Sequence, residues 1–183
     1  LTWTIERDPL LRSTIVSVWL LDRMPDLDRA MAKLRRTAVV IPRLRQRVAE
    51  DPLNVAPPRW EDDPYFDLAY HVRRVGAPGK GSLRDLLDLA EPIAMQAFDR
   101  ERPLWEMTLV EGLEGERAGV ILKIHHAMSD GVGLVRMTAS LIERSREPDP
   151  AAAVVEPAAV ETVPEPWGPV DETLDALRYQ ASR

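Results

Sequence analysis

The sequence contains no cysteine. A disulfide framework, a zinc–thiolate centre and a cysteine nucleophile are therefore excluded. The absence is compatible with a reducing compartment. Basic charge is not in excess: 24 Lys and Arg stand against 30 Asp and Glu, for a net charge of -6. A nucleic-acid binder is expected to carry a strongly basic surface, so that class is disfavoured. No apolar run approaches the roughly 20 residues that span a bilayer. No signal-peptide pattern is visible, and no internal repeat. These absences lead to the expectation of a cytoplasmic protein whose membrane contact, if any, is peripheral.

What remains is a chain of 183 residues with 45% hydrophobic and 30% charged content. That is ordinary for a soluble globular protein and long enough for one domain with a sizeable core. Thr14 to Leu21 is β-branched and apolar, and reads as a strand. Asp26 opens a helical pattern in which Leu27, Ala30, Met31, Leu34, Ala38 and Ile41 share a face, and Pro42 limits it. Tyr70 to Val75 alternates weakly and reads as a strand, with His71 a strand residue. Ser82 and Asp85 resemble a capping box for a second helix through Leu83, Leu86, Leu87 and Ala90. Pro92 is expected to kink or split it.

Leu104 to Glu111 and Ala118 to His125 read as two strands joined by turn residues from Gly112 to Arg117, an antiparallel hairpin. Leu134, Val135, Thr138, Leu141 and Ile142 form a further amphipathic pattern. The order of elements implies an α/β fold, a two-layer sandwich with a mixed β-sheet. The character then changes. Six of the sixteen prolines fall between Pro148 and Pro169, and nine acidic residues against two basic ones between Glu143 and Asp175 leave the remainder close to neutral. The expected organisation is a domain over residues 1–147, a Pro/Ala/Glu-rich linker over 148–170 and a short helix over 171–183 that leads toward a second domain.

The chemistry concentrates in His125-His126-Ala127-Met128-Ser129-Asp130-Gly131, which holds two of the three histidines. It follows the apolar run Val120-Ile121-Leu122-Lys123-Ile124. A histidine at the end of a buried strand is a rigidly held base. Adjacent strand residues point to opposite faces, so one histidine is expected to serve as base and the other as support. A neutral imidazole takes a proton from a substrate hydroxyl and returns one to a leaving group. No protein nucleophile is required, and the sequence has no Gly-x-Ser-x-Gly elbow. Asp130 fixes the imidazole directly or holds the turn through an arginine. Gly131 relieves crowding where backbones approach. Bland readings stand beside these: Asp-Gly is a common turn, and buried histidines often satisfy core hydrogen bonds. His126 and Asp130 lack a third ligand at metal-binding spacing, so no metal is expected.

His125-His126-x-x-x-Asp130-Gly131 resembles the HHxxxDG signature of the coenzyme A-dependent acyltransferase superfamily, which includes chloramphenicol acetyltransferase and the condensation domains of peptide synthetases. Further segments resemble the bacterial wax ester synthase/diacylglycerol acyltransferase family. They are Pro42-Arg43-Leu44-Arg45-Gln46-Arg47, Phe66 to Arg74, Phe98-Asp99-Arg100, Arg102-Pro103-Leu104-Trp105-Glu106 and Glu111 to Gly115. The resemblance runs from Trp3 to Ile142.

The resemblance implies a chloramphenicol acetyltransferase-like N-terminal domain, partnered by a C-terminal half across an active-site tunnel. It implies transfer of a fatty acyl group from acyl-CoA to diacylglycerol or a long-chain alcohol, with acyl-CoA as substrate and no cofactor. His126 would be the general base, His125 would support the strand end, and Asp130 would pair with an arginine. Arg45 is the candidate partner, with Arg43 and Arg47 as alternates. The arginines read equally well as solvated basic surface or as contacts to coenzyme A phosphates. Pro103, Leu104 and Trp105 would line or brace the acyl pocket, although Trp105 also suits plain core packing. Two other readings stay open: a condensation-type enzyme using carrier-protein thioesters, and a non-catalytic lipid-binding domain. Membrane or lipid-droplet contact would follow from apolar products.

Overall fold

A computed structural model describes residues 12–50, 57–128, 138–139 and 141–142. Its strands are β1 (Thr14–Leu21), β2 (Gln46–Ala49), β3 (Arg59–Asp62), β4 (Val72–Gly76), β5 (Trp105–Leu113) and β6 (Arg117–His125), and its main helices are α1 (Leu27–Val40), α2 (Leu68–His71) and α3 (Leu83–Met95). Four strands form one sheet in the order β1-β6-β5-β4, and β2 and β3 form a separate two-stranded ladder. β4 runs parallel to β5, while β1–β6 and β5–β6 are antiparallel. The expected mixed α/β sandwich is present.

Side-chain alternation assigns the two sheet faces. Met107, Leu109, Leu122 and Ile124 belong to one apolar cluster with Leu34 and Ala38 of α1. Val110 and Ile121 belong to the other, with Leu86 and Ala90 of α3. Gly119 shares the α3 face with Ile121. A methyl group there would meet Leu86 Cδ1 at 2.7 Å, so the missing side chain is what lets α3 lie close against β6.

Local signals explain the helix ends. Asp26 caps α1 by accepting from Arg29 N, and Pro42 opens a 3-10 turn over Pro42–Arg45 directly after it. Ser82 and Asp85 form a full capping box on α3. Two expectations change. α3 runs unbroken through Pro92, which lies on the exposed side of the helix close to its C-terminus. The carbonyl that loses its partner to the missing N–H belongs to Asp88, an exposed residue. His71 is not a strand residue: Asp67 accepts from Ala69 N and caps a single helical turn over Leu68–His71, so β4 begins only at Val72. Thr138, Ala139 and Leu141 are helical, with Ile142 N–H bonded to Thr138 O, as the pattern after Gly131 predicts. Leu134, Val135, the proposed linker over 148–170 and the segment 171–183 lie outside the described residues.

Candidate active site

β6 is buried from Ala118 to His125, and its end is tied down on both sides. His125 N–H donates to Leu104 O on the β5 side at 3.0 Å, and His126 N–H donates to Ser13 O on the β1 side at 2.7 Å. The two histidines then part. His125 is 1% exposed, whereas His126 opens a 3-10 turn over His126–Met128 and is exposed. Met128, itself buried, anchors the far end of that turn. The end of β6 and the turn that follows it therefore separate an interior imidazole from one presented at the surface.

His125 closes the turn. Its Nδ1 accepts from Ala127 N–H at 2.9 Å. A backbone N–H can only donate, so Nδ1 is the unprotonated nitrogen and the ring proton sits on Nε2. Phe98 meets the His125 ring edge-on, with centroids 6.0 Å apart. Ser129, Asp130 and Gly131 lie outside the described residues.

The PLW segment is interior. Pro103 is buried, Leu104 fully so, and Trp105 is 1% exposed. Trp105 Nε1–H donates to Leu44 O at 2.9 Å. Its ring stacks on His71, with centroids 4.6 Å apart and planes 13° from parallel. His71 Nδ1–H donates in turn to Trp105 O at 2.8 Å. Trp105 thus bridges the turn after α1 and the end of α2 while pairing with Ile124 in the β5–β6 ladder. It also borders a small apolar gap shared with Leu34, Leu44, Met107, Leu122 and Ile124.

The three arginines of the Pro42–Arg47 segment have separate partners. Arg45 Nε donates to Ala38 O at 3.0 Å and so caps the end of α1. The Arg43 guanidinium lies 4.1 Å above the Trp60 ring centroid. Arg47 engages Glu61 and Glu101, each at 2.7 Å.

Two buried groups near the site, His71 and Lys123, are ones to which the sequence assigned no functional role. His71 is 1% exposed, and its burial pushes the imidazole below its ordinary pKa, opposed by its hydrogen bond to Trp105 O. Lys123 lies two residues before His125 and is fully buried. Its lysine character inside an otherwise apolar strand was the available signal. Burial pushes its ammonium below the usual lysine range, with Glu106 opposing. Among the described residues no three His, Asp or Glu side chains gather as a metal site.

Comparison with known proteins places this geometry. The family model for the wax ester synthase/diacylglycerol acyltransferase catalytic domain matches residues 9–177. A putative diacylglycerol O-acyltransferase of Mycobacterium tuberculosis is 42% identical over 91% of this chain and 33% of its own length. A second, probable diacylglycerol O-acyltransferase of the same organism is 44% identical over 59% of this chain and 40% of its own length. The wax ester synthase/diacylglycerol acyltransferase from Marinobacter aquaeolei VT8 superposes with a TM-score of 0.56 and 28% identity, over 69% of this chain and 33% of that structure. The first condensation domain of the calcium-dependent antibiotic synthetase superposes with a TM-score of 0.64 at 19% identity, over 76% of this chain and 34% of that structure. That second likeness speaks to the fold alone. The chain spans about a third of the length of the relative that it matches over most of its own length.

Proposed function

Because this chain belongs to the wax ester synthase/diacylglycerol acyltransferase family, we propose that the full-length protein moves a fatty acyl group from acyl-CoA to diacylglycerol or a long-chain alcohol. The observation that carries this reading is the split between the paired histidines. A buried, hydrogen-bonded His125 closes a turn, and that turn exposes His126 at the end of a tied-down strand.

In this reading His126 takes the proton of the acceptor hydroxyl. The oxygen attacks the thioester carbonyl and a tetrahedral oxyanion forms. It collapses, the C–S bond breaks, and the leaving coenzyme A sulfur receives the proton from the imidazolium. The base begins and ends neutral, the products are an ester and free coenzyme A, and no cofactor is consumed. Asp130 steadies the turn, with Arg45 as its candidate partner and Gly131 permitting the close approach. Pro103, Leu104 and Trp105 brace the apolar wall beside it. A C-terminal half supplies the other side of the cleft, which agrees with a relative of which this chain covers only 33%.

Among the described residues no helix is long and apolar enough to cross a membrane. Contact with a membrane or lipid droplet, where the acceptor and product partition, is accordingly proposed as peripheral, with the protein otherwise in the cytoplasm. The test is release of coenzyme A thiol from palmitoyl-CoA by the full-length protein, with hexadecanol and with dioleoylglycerol. Release that depends on an acceptor is expected, and the better acceptor names the physiological class. Absence of release from folded protein with either acceptor overturns the reading.

A further inference from the structure

Lys123 breaks the pattern of the strand that carries it. Every residue of β6 from Ala118 to His125 is buried, and Lys123 is the cation among them. Its Nζ makes no hydrogen bond. The nearest carboxylate oxygen, Glu106 Oε2, is 3.9 Å away and is held at 2.9 Å by Arg73. A buried ammonium without a hydrogen-bond partner is costly, and an aliphatic residue of similar volume at such a position is often neutral or stabilising. Positions that break a local rule without a gain in stability concentrate at functional sites.

The surroundings show what the cation does there. Lys123 and His125 are two residues apart on one strand and project from the same face. α3 covers the earlier part of that face, and Arg12 Nη1 donates to Met95 O at 2.7 Å, fixing the helix end from which the chain runs on to Phe98. The Lys123 ammonium lies 4.2 Å from the Phe98 ring centroid. That distance suits a cation–π contact, which strengthens when it is dry. The same ring meets His125 edge-on, and His125 Nδ1 holds Ala127 N–H. A continuous set of contacts thus runs from the cation to the turn that begins at His126. Glu106 faces Lys123 in the β5–β6 register, and its opposite charge counters the cost of burying the ammonium.

We propose that Lys123 is a positioning residue for the acyl-transfer site: its ammonium holds the Phe98 ring against His125, and His125 holds the turn that presents His126. The inference rests on the reading of His126 as the general base, and it has a consequence that does not need catalysis. Loss of the cation releases Phe98, loosens His125 and lets the Ala127 N–H exchange faster.

The experiment is Lys123→Met in the full-length protein, with Lys123→Arg beside it. Lys123→Met is expected to lower kcat by about tenfold or more, since small misplacement of a base is costly. KM and Tm are expected to hold, or Tm to rise as a buried charge is removed. Hydrogen–deuterium exchange at Ala127 is expected to accelerate. Lys123→Arg keeps the cation and is expected to recover part of kcat. A merely structural lysine would instead lower Tm and kcat together. That result, an unchanged kcat, or unchanged exchange at Ala127 overturns the inference. If the wild-type protein transfers no acyl group, the catalytic reading fails and the exchange rate alone decides the positioning claim. Should Lys123→Met not fold, Phe98→Leu removes the intermediary ring and is expected to give the same split between kcat and Tm.

Discussion

At His71 one hydrogen bond fixes which ring nitrogen carries the proton. Nδ1–H donates to Trp105 O, and Nε2 is buried without a partner. Protonating that ring would place a buried N–H without a hydrogen-bond partner beside the Phe66 and Trp105 rings, a cost that Asp63 and Glu106 offset only in part. Burial therefore holds the folded imidazole below its ordinary pKa of about 6.5. Between the two values the unfolded chain binds more protons than the folded one, so stability rises with pH and is lost as pH falls below about 6.5. The slope from this group is at most ~1.4 kcal/mol per pH unit. Denaturant titrations from pH 7.5 to 5 are expected to show it. His71→Phe keeps the stack, sacrifices the Trp105 O bond at about 1–3 kcal/mol, and is expected to flatten that part of the profile. An equal slope in the variant would place the acid sensitivity elsewhere. The same residue shows how far single-residue reading reaches. The sequence shows a histidine beside Phe66 and Trp105 motifs, but burial and stacking depend on contacts across the sheet. Lys123 is the parallel case, because Phe98 and Glu106 reach it from other elements.

The elements whose period is long were legible, and those with only one turn were not. β1 occupies Thr14–Leu21, as its β-branched run predicts, and the Asp26 and Ser82 caps start α1 and α3 where the sequence puts them. α2 has four residues, too few to show a period, and only the Asp67 cap marks it. β2 and β3 are four residues each and lie on either side of a proline-bearing loop, so neither presented a recognisable alternation. Pro92 misled because a helix reads as broken by proline unless the affected turn is known to face solvent.

One connection between elements has a sharp steric requirement. Gly81 precedes α3 with φ +73°, and a methyl group there would sit 2.4 Å from Gly112 O and 3.0 Å from Leu113 Cα. Glu114 N–H also donates to Gly81 O at 2.9 Å, pinning the start of α3 to the β5–β6 connection. Gly81→Ala is expected to cost roughly 1–3 kcal/mol through combined strain and contact, read as a lower denaturation midpoint. Activity per folded molecule is expected to hold, since the site lies at the opposite end of β6. A stable Gly81→Ala protein would show that this connection gives way.

Across the whole molecule, the sheet does one thing for the chemistry: it ties the end of β6 between Leu104 O and Ser13 O and so fixes where His126 emerges. The family was legible because contiguous motifs carry it. The role of Arg45 was not, because its contact with Ala38 O depends on how the chain turns back after α1. The roles of the paired histidines give the central claim, and they separate experimentally because one is interior and the other is not. The decisive measurement is acceptor-dependent thiol release and Tm for His126→Ala and His125→Ala in the full-length protein. His126→Ala is expected to lower kcat by about 10²–10⁴-fold, the usual worth of a positioned general base, with Tm unchanged. His125→Ala, which empties a buried site and frees the Ala127 N–H, is expected to lower both. A His126→Ala protein that folds and retains wild-type acyl transfer would contradict the account.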